Sequence, residues 1–249
     1  EQTTRGVRRA REAGLLVITN TTLTAANVRE LDPLLDFLAG DLGLTTFAMN
    51  AMIHSGGGAD NPDTIEPERL AAVLVRVREG AAARGMRFLW YTPTEYCRLN
   101  PVELEIGAKR CNAGEYSLCV EPDGAVLPCQ SYYASAGNIL RDPWDAIWNG
   151  ELFRSFRERE NDPKSSWLPE KCHECPDLPL CGGGCRIEHE AAAAEGRATS
   201  GGCAKGGCSS GGCSSKKEAP GFVTLESLLD PQRVRLRSTG HAARVGASR

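Results

Sequence analysis

Four cysteines fall within fourteen residues, Cys172, Cys175, Cys181 and Cys185, in the spacing C-x2-C-x5-C-x3-C. The last interval is Gly182-Gly183-Gly184, and Pro176 and Pro179 stiffen the middle one. Short loops between thiolates let backbone N–H groups point at sulfur, and glycines let the chain pass close to a bulky inorganic core. Soft thiolate ligands suit iron–sulfur clusters or zinc. The chain has 11 cysteines; Cys97 stands first and the others run from Cys111 to Cys213. A disulfide scaffold would spread cysteines through a small, loop-rich chain, whereas the residues before Cys97 carry none and read as ordinary α/β sequence. The opening residues are not a signal peptide, so the reading is metal ligation in a reducing cytoplasm. A net charge of −3 and the lack of a membrane-length apolar run give no reason to invoke nucleic acid or membrane as a partner.

Ahead of the cysteines, helix and strand alternate. Thr3 to Ala13 reads as a helix stopping at Gly14, and Leu15 to Thr19 as a short buried strand. Thr24 can cap the next helix, whose apolar stripe is Val28, Leu31, Leu35, Leu38 and Leu42. Thr45 to Ile53 is a second strand, followed by the loop Ser55-Gly56-Gly57-Gly58. Pro67 opens a third helix with Leu70, Val73, Leu74 and Val77 on its buried face. Met86 to Tyr91 is a third strand. Such alternation implies a parallel sheet. Beyond Cys97 the pattern predicts a hairpin over Val120–Val126 turning at Pro122-Asp123-Gly124, then one helix from Asp142 to Arg159. Gly-Gly-Cys recurs at Cys203, Cys208 and Cys213 in a stretch with no apolar payload, which reads as flexible, as does the basic end.

The upstream set, Cys111-x12-Gly124-x4-Cys129, joins the four-cysteine loop and Cys203 in a longer pattern. That pattern resembles the SPASM domain of radical S-adenosylmethionine (SAM) enzymes. The flanks agree: Glu121-Pro122-Asp123-Gly124-Ala125-Val126-Leu127-Pro128-Cys129, Gly137-Asn138-Ile139-Leu140 and the Trp144/Trp148 helix. The resemblance implies an α/β chain in three parts. Residues 1–95 would be the C-terminal half of a radical SAM partial (β/α)6 barrel. Residues 96–205 would be a small cysteine-rich α+β SPASM domain, and 206–249 a disordered tail. It further implies two auxiliary [4Fe–4S] clusters, the first on Cys111, Cys129 and Cys185 with Cys119 as fourth candidate, the second on Cys172, Cys175, Cys181 and Cys203. A buried strand thiol is the other reading of Cys119, and Cys208 or Cys213 the substitute for Cys203. The defining C-x3-C-x2-C of the SAM-cleaving cluster does not occur in these residues. The expectation is therefore a fragment of a longer, SAM-using parent that modifies a peptide or protein, the fragment alone being inactive.

Asn20, Thr22 and Asn50 fall near the C-terminal ends of strands, where parallel α/β folds bind ligands; by resemblance they would touch SAM or substrate. The Ser55–Gly58 loop is a weaker candidate for the same role. His173 and His189 read as solvent-facing loop residues, Cys97 as a plain buried thiol, and Trp144, Trp148 and Phe153 as core. The competing function is a zinc-binding interaction module without redox chemistry.

Overall fold

The leucine stripe and its capping residues decide where the first layer forms. In this computed structural model, which describes residues 1–194 apart from the Glu68 side chain, α1 (Gln2–Glu12) ends at Gly14 with φ +78°. Three strands, β1 (Thr19–Leu23), β2 (Thr46–Ala51) and β3 (Arg87–Trp90), pair in parallel in the order β1-β2-β3. Thr22 lies opposite Asn50, and Phe47 opposite Phe88. One face of the sheet packs Leu23, Phe47, Met49 and Trp90 against α2 (Leu31–Asp36) and α3 (Pro67–Ala83). Leu31, Leu35, Leu38 and Leu42 are all buried, as the stripe requires, although the helix they share opens as a 3-10 turn and closes in a wider turn at Phe37–Asp41. Leu74 is fully buried between sheet and helix. Leu74→Ala is expected to cost about 2–5 kcal/mol, read as a lower thermal midpoint with unchanged helical circular dichroism below it.

The expected strand at Leu15–Thr19 is displaced. Leu15 and Leu16 are 62% and 83% exposed, and pairing begins at Thr19. The reason lies at the other end of the strand. Thr24 N–H donates to Asn27 Oδ1 (2.9 Å), Asn27 N–H to Thr24 Oγ1 (3.3 Å), and Asn27 Nδ2 to Thr22 O (2.8 Å). This reciprocal cap pins the helix entry directly after Leu23. Leu23 must then reach the core, and β-branched threonines suit the pleat leading to it.

The cysteine-rich part starts with a hairpin of β4 (Cys119–Val120) and β5 (Val126–Leu127), where Gly124 turns the chain at φ +87°. Asn138 Nδ2 donates to Asp123 O (2.8 Å) and holds that turn. The expected helix from Asp142 to Arg159 is two helices, α4 (Trp144–Trp148) and α5 (Glu151–Arg157). Gly150 between them is extended, with φ −63° and ψ 159°, so the helical ladder breaks there. The break lets Ile147 and Phe153 pack together with Val126, while Phe156 packs with Cys111 and Ala113. It also leaves Trp144 43% exposed, stacked on Trp148 with centroids 5.5 Å apart, so Trp144 is not core. α6 (Leu178–Cys181) and α7 (Arg186–Ala194) complete the described chain. No helix among the described residues is long and apolar enough to cross a membrane.

Candidate metal centre

Cys181 ends α6, and the next three residues, Gly182, Gly183 and Gly184, all have positive φ (+65°, +78° and +82°). Only glycine adopts three such conformations in a row at little cost. Space demands glycine as well: a Cβ at Gly183 would fall onto Leu168, and one at Gly184 would lie 3.1 Å from Glu95 Cγ. This turn brings backbone donors to sulfur. Tyr96 N–H points at Cys181 Sγ (3.4 Å), and Gly183 N–H bonds the same sulfur. Cys172 closes the 3-10 turn Glu170–Cys172 and is buried, as is Cys181. Cys172, Cys175 and Cys181 lie within electrostatic range of one another.

A second group of thiols forms around Cys111. Cys111 interacts electrostatically with Cys129 and with Cys185, and Cys119 with Cys129. Backbone donors again face sulfur: Ala113 N–H at Cys111, Ser131 N–H at Cys129 Sγ (3.4 Å), and Ile187 and Glu188 N–H at Cys185. Cys185 thus sits where a capping residue would stand before α7, its sulfur on the first-turn N–H groups. Cys119 is half-buried in β4, and its thiol donates to Glu121 Oε1 (3.6 Å). Cys111, Cys119, Cys129, Cys172, Cys181 and Cys185 are free thiols. Among the described residues, no three Cys, His, Asp or Glu side chains close on one point as ligands of a single ion do. Cys203, Cys208, Cys213 and the tail lie outside the described residues.

Burial pushes the Cys172 thiol up to about 12, with the Glu95 carboxylate adding to it, and burial pushes Cys185 up to about 12 with Cys111 as the next cause. Cys111 and Cys181 are also raised, chiefly by burial. The ordinary value is 9.0. A raised folded-state value means the unfolded chain loses its proton first. Stability from these thiols is therefore complete below pH 9.0 and declines as pH rises from there toward 12. Urea midpoints of the metal-free chain are expected to hold between pH 7 and 8.5 and to fall by pH 10.5.

The two thiol groups share a buried cation that the sequence did not mark. The Arg159 side chain is 0% exposed. Its Nε donates to Gly182 O (3.0 Å), Nη2 to Cys111 O (3.0 Å) and Nη1 to Phe156 O.

Where the strand ends meet α7, a cavity of about 180 Å³ opens, lined in part by Thr92, Glu95, Cys185, Glu188 and His189. His54 Nδ1 lies 2.6 Å from Glu188 Oε2, and His54 N–H donates to Glu188 Oε1 (3.1 Å). A loop after β2 is thereby bonded to the helix that follows Cys185. Ser55 donates to Ser131 O (2.5 Å), which ties the glycine loop to the cysteine-rich part. Thr22 and Asn50 meet, Asn50 Nδ2 donating to Thr22 Oγ1 (3.2 Å), while Asn20 shares their sheet face two residues earlier and is exposed. His189 is not a solvent-facing loop residue: it lies in α7, is 10% exposed, and bonds Gly183 O (2.7 Å). His173 is half-buried against Leu168 O (3.1 Å), and Cys97 is half-buried.

Residues 111–176 match the family model of SPASM, described as an iron–sulfur cluster-binding domain. A PqqA peptide cyclase of Streptomyces rochei is 30% identical over 196 residues, covering 75% of this chain and 50% of that protein. The chain carries a SPASM domain and is similar to radical SAM enzymes. An AdoMet-dependent heme synthase of Methanosarcina barkeri, 25% identical over 214 residues, spans 78% of the chain and 58% of its own length. The chain thus spans about half the length of the curated relatives it matches. Crystal structures of Streptococcus suis SuiB, one bound to S-adenosylmethionine and one to the precursor peptide SuiA, share the fold at TM-score 0.53 and 16% identity, over 75% of this chain and 44% of theirs. The SPASM match begins at Cys111 and takes in Cys119, Cys129, Cys172 and Cys175, while Cys181 and Cys185 follow it.

Proposed function

We propose that this SPASM-family chain holds two [4Fe–4S] clusters in the service of a radical SAM enzyme that modifies a peptide or protein. The observation that carries the reading is the sorting of seven cysteines into two groups, each with backbone N–H groups aimed at sulfur. Cys111, Cys129 and Cys185, with Cys119 completing the set, would hold the first cluster; Cys172, Cys175, Cys181 and Cys203 would hold the second. The residues present fit such groups. The glycine turn keeps a Cβ out of the loop between Cys181 and Cys185, and the backbone N–H groups aimed at Cys181, Cys129 and Cys185 favour the thiolate form against the cost of burial. When bound, the clusters would supply one-electron storage close to the substrate.

The peptide substrate is supported by the relatives: one is a PqqA peptide cyclase, and SuiB has been crystallised with its precursor peptide. The three helix–strand units would be later units of a partial (β/α)6 barrel. Its open face, with Asn20, Thr22 and Asn50, would then look toward SAM or substrate. Radical generation would depend on a C-x3-C-x2-C that this sequence does not contain. The test is anaerobic reconstitution followed by iron, sulfide and zinc analysis. Two clusters predict about eight iron and eight sulfide per chain. One or two zinc ions without sulfide would overturn the reading.

A further inference from the structure

Arg159 is a cation placed where cations rarely go unpaired. Its side chain has no exposure, yet its nearest carboxylate oxygen, Glu115 Oε2, is 3.8 Å from Nη2. Arg110 takes the shorter contacts to that carboxylate (3.0 Å) and to Glu160 (2.7 Å). The Arg159 guanidinium instead spends its donors on backbone carbonyls of Cys111, Phe156 and Gly182. Burying an ion without a close counter-ion costs several kcal/mol, and arginine does not escape by losing its proton. Packing alone is a poor reason for it, since an unbranched apolar side chain such as methionine fills a comparable volume without burying a charge. The two loops it holds are the ones that carry Cys111 and the Cys181–Cys185 turn. A Cβ at Gly182 would lie 2.9 Å from Arg159 Nη2, so the glycine leaves room for the guanidinium to reach the turn.

We propose that Arg159 sets the reduction potential of the cluster site formed by Cys111, Cys129 and Cys185, as a fixed buried cation clamped to both ligand loops. The inference rests on the reading of those thiols as cluster ligands. One-electron reduction adds one negative charge to the site, with no bond made or broken, the electron coming from a titrating reductant. A positive charge held nearby in a low-dielectric interior favours that reduced state, and charge and hydrogen bonding are the levers that spread cluster potentials. Arg159 is thus a positioning residue acting through the ligand loops.

The test is an EPR-monitored redox titration of the reconstituted chain, with the first site's signal identified by its loss in Cys129→Ser. Arg159→Met is expected to move that midpoint to more negative potential, and by more than it moves the other site. Arg159→Lys, which keeps the charge, is expected to restore most of the difference. Glu115→Gln, which removes the nearest carboxylate, is expected to move the same midpoint the other way, and it decides the matter if Arg159→Met fails to load iron. Full iron with no shift in Glu115→Gln and Arg159→Met overturns the inference while leaving the cluster reading intact. A wild-type chain that binds no iron and sulfide overturns both.

Discussion

Gly183→Ala is expected to collapse the cysteine loop and strip the chain of most of the iron bound near Cys172 and Cys181. Two costs add at this position. An alanine forced to φ +78° carries about 1–2 kcal/mol of backbone strain. Its Cβ also falls onto Leu168, a buried side chain packed with Cys172 and Leu178, and overpacking of this kind costs about 1–3 kcal/mol. The hydrogen bond from Gly183 N–H to Cys181 sulfur is lost as the turn shifts. Gly57→Ala is the control, because a Cβ there meets nothing within 4 Å. Denaturation midpoints and iron content measured on both variants check the result: a Gly183→Ala chain with wild-type values would mean the loop relaxes without loss.

The second large effect is a partition of metal content. Cys172→Ser is expected to remove about half of the bound iron and sulfide, Cys129→Ser the other half, and the double variant all of it, since [4Fe–4S] clusters are held by cysteine thiolates. Cys119→Ser distinguishes the two roles of that residue. If Cys119 is a ligand, the variant loses the same iron as Cys129→Ser; if it is a strand thiol donating to Glu121, iron is retained. Cys97→Ser is expected to leave iron unchanged. Single-cysteine variants that each lose all the metal would contradict two separable sites.

Much of this arrangement is legible in local sequence. Leucine spacing located α2 and α3, the Pro122-Asp123-Gly124 turn located the hairpin, and cysteine spacing with three glycines marked the loop that the structure builds from left-handed backbone. Each of these depends on neighbours within a few residues, where periodicity and φ preference act directly. The misplaced first strand marks the limit. Leu15 and Leu16 are as apolar as a buried strand, but they are left outside because the Thr24–Asn27 cap sets where β1 ends. The helix from Asp142 to Arg159 failed for a related reason: the chain is extended at Gly150, and Ile147 and Phe153 on either side of it pack together with Val126.

The sequence by itself determined the clustered thiols, the resemblance to SPASM domains and the helix–strand alternation, because residue type, spacing and hydrophobic period are properties of the chain. Only the tertiary structure decided which thiols face one another, that Arg159 is buried between their loops, and that His54 meets Glu188 across 134 positions. Those outcomes follow from desolvation and from hydrogen bonds between distant segments, and neither exists until the sheet and the cysteine loops have packed.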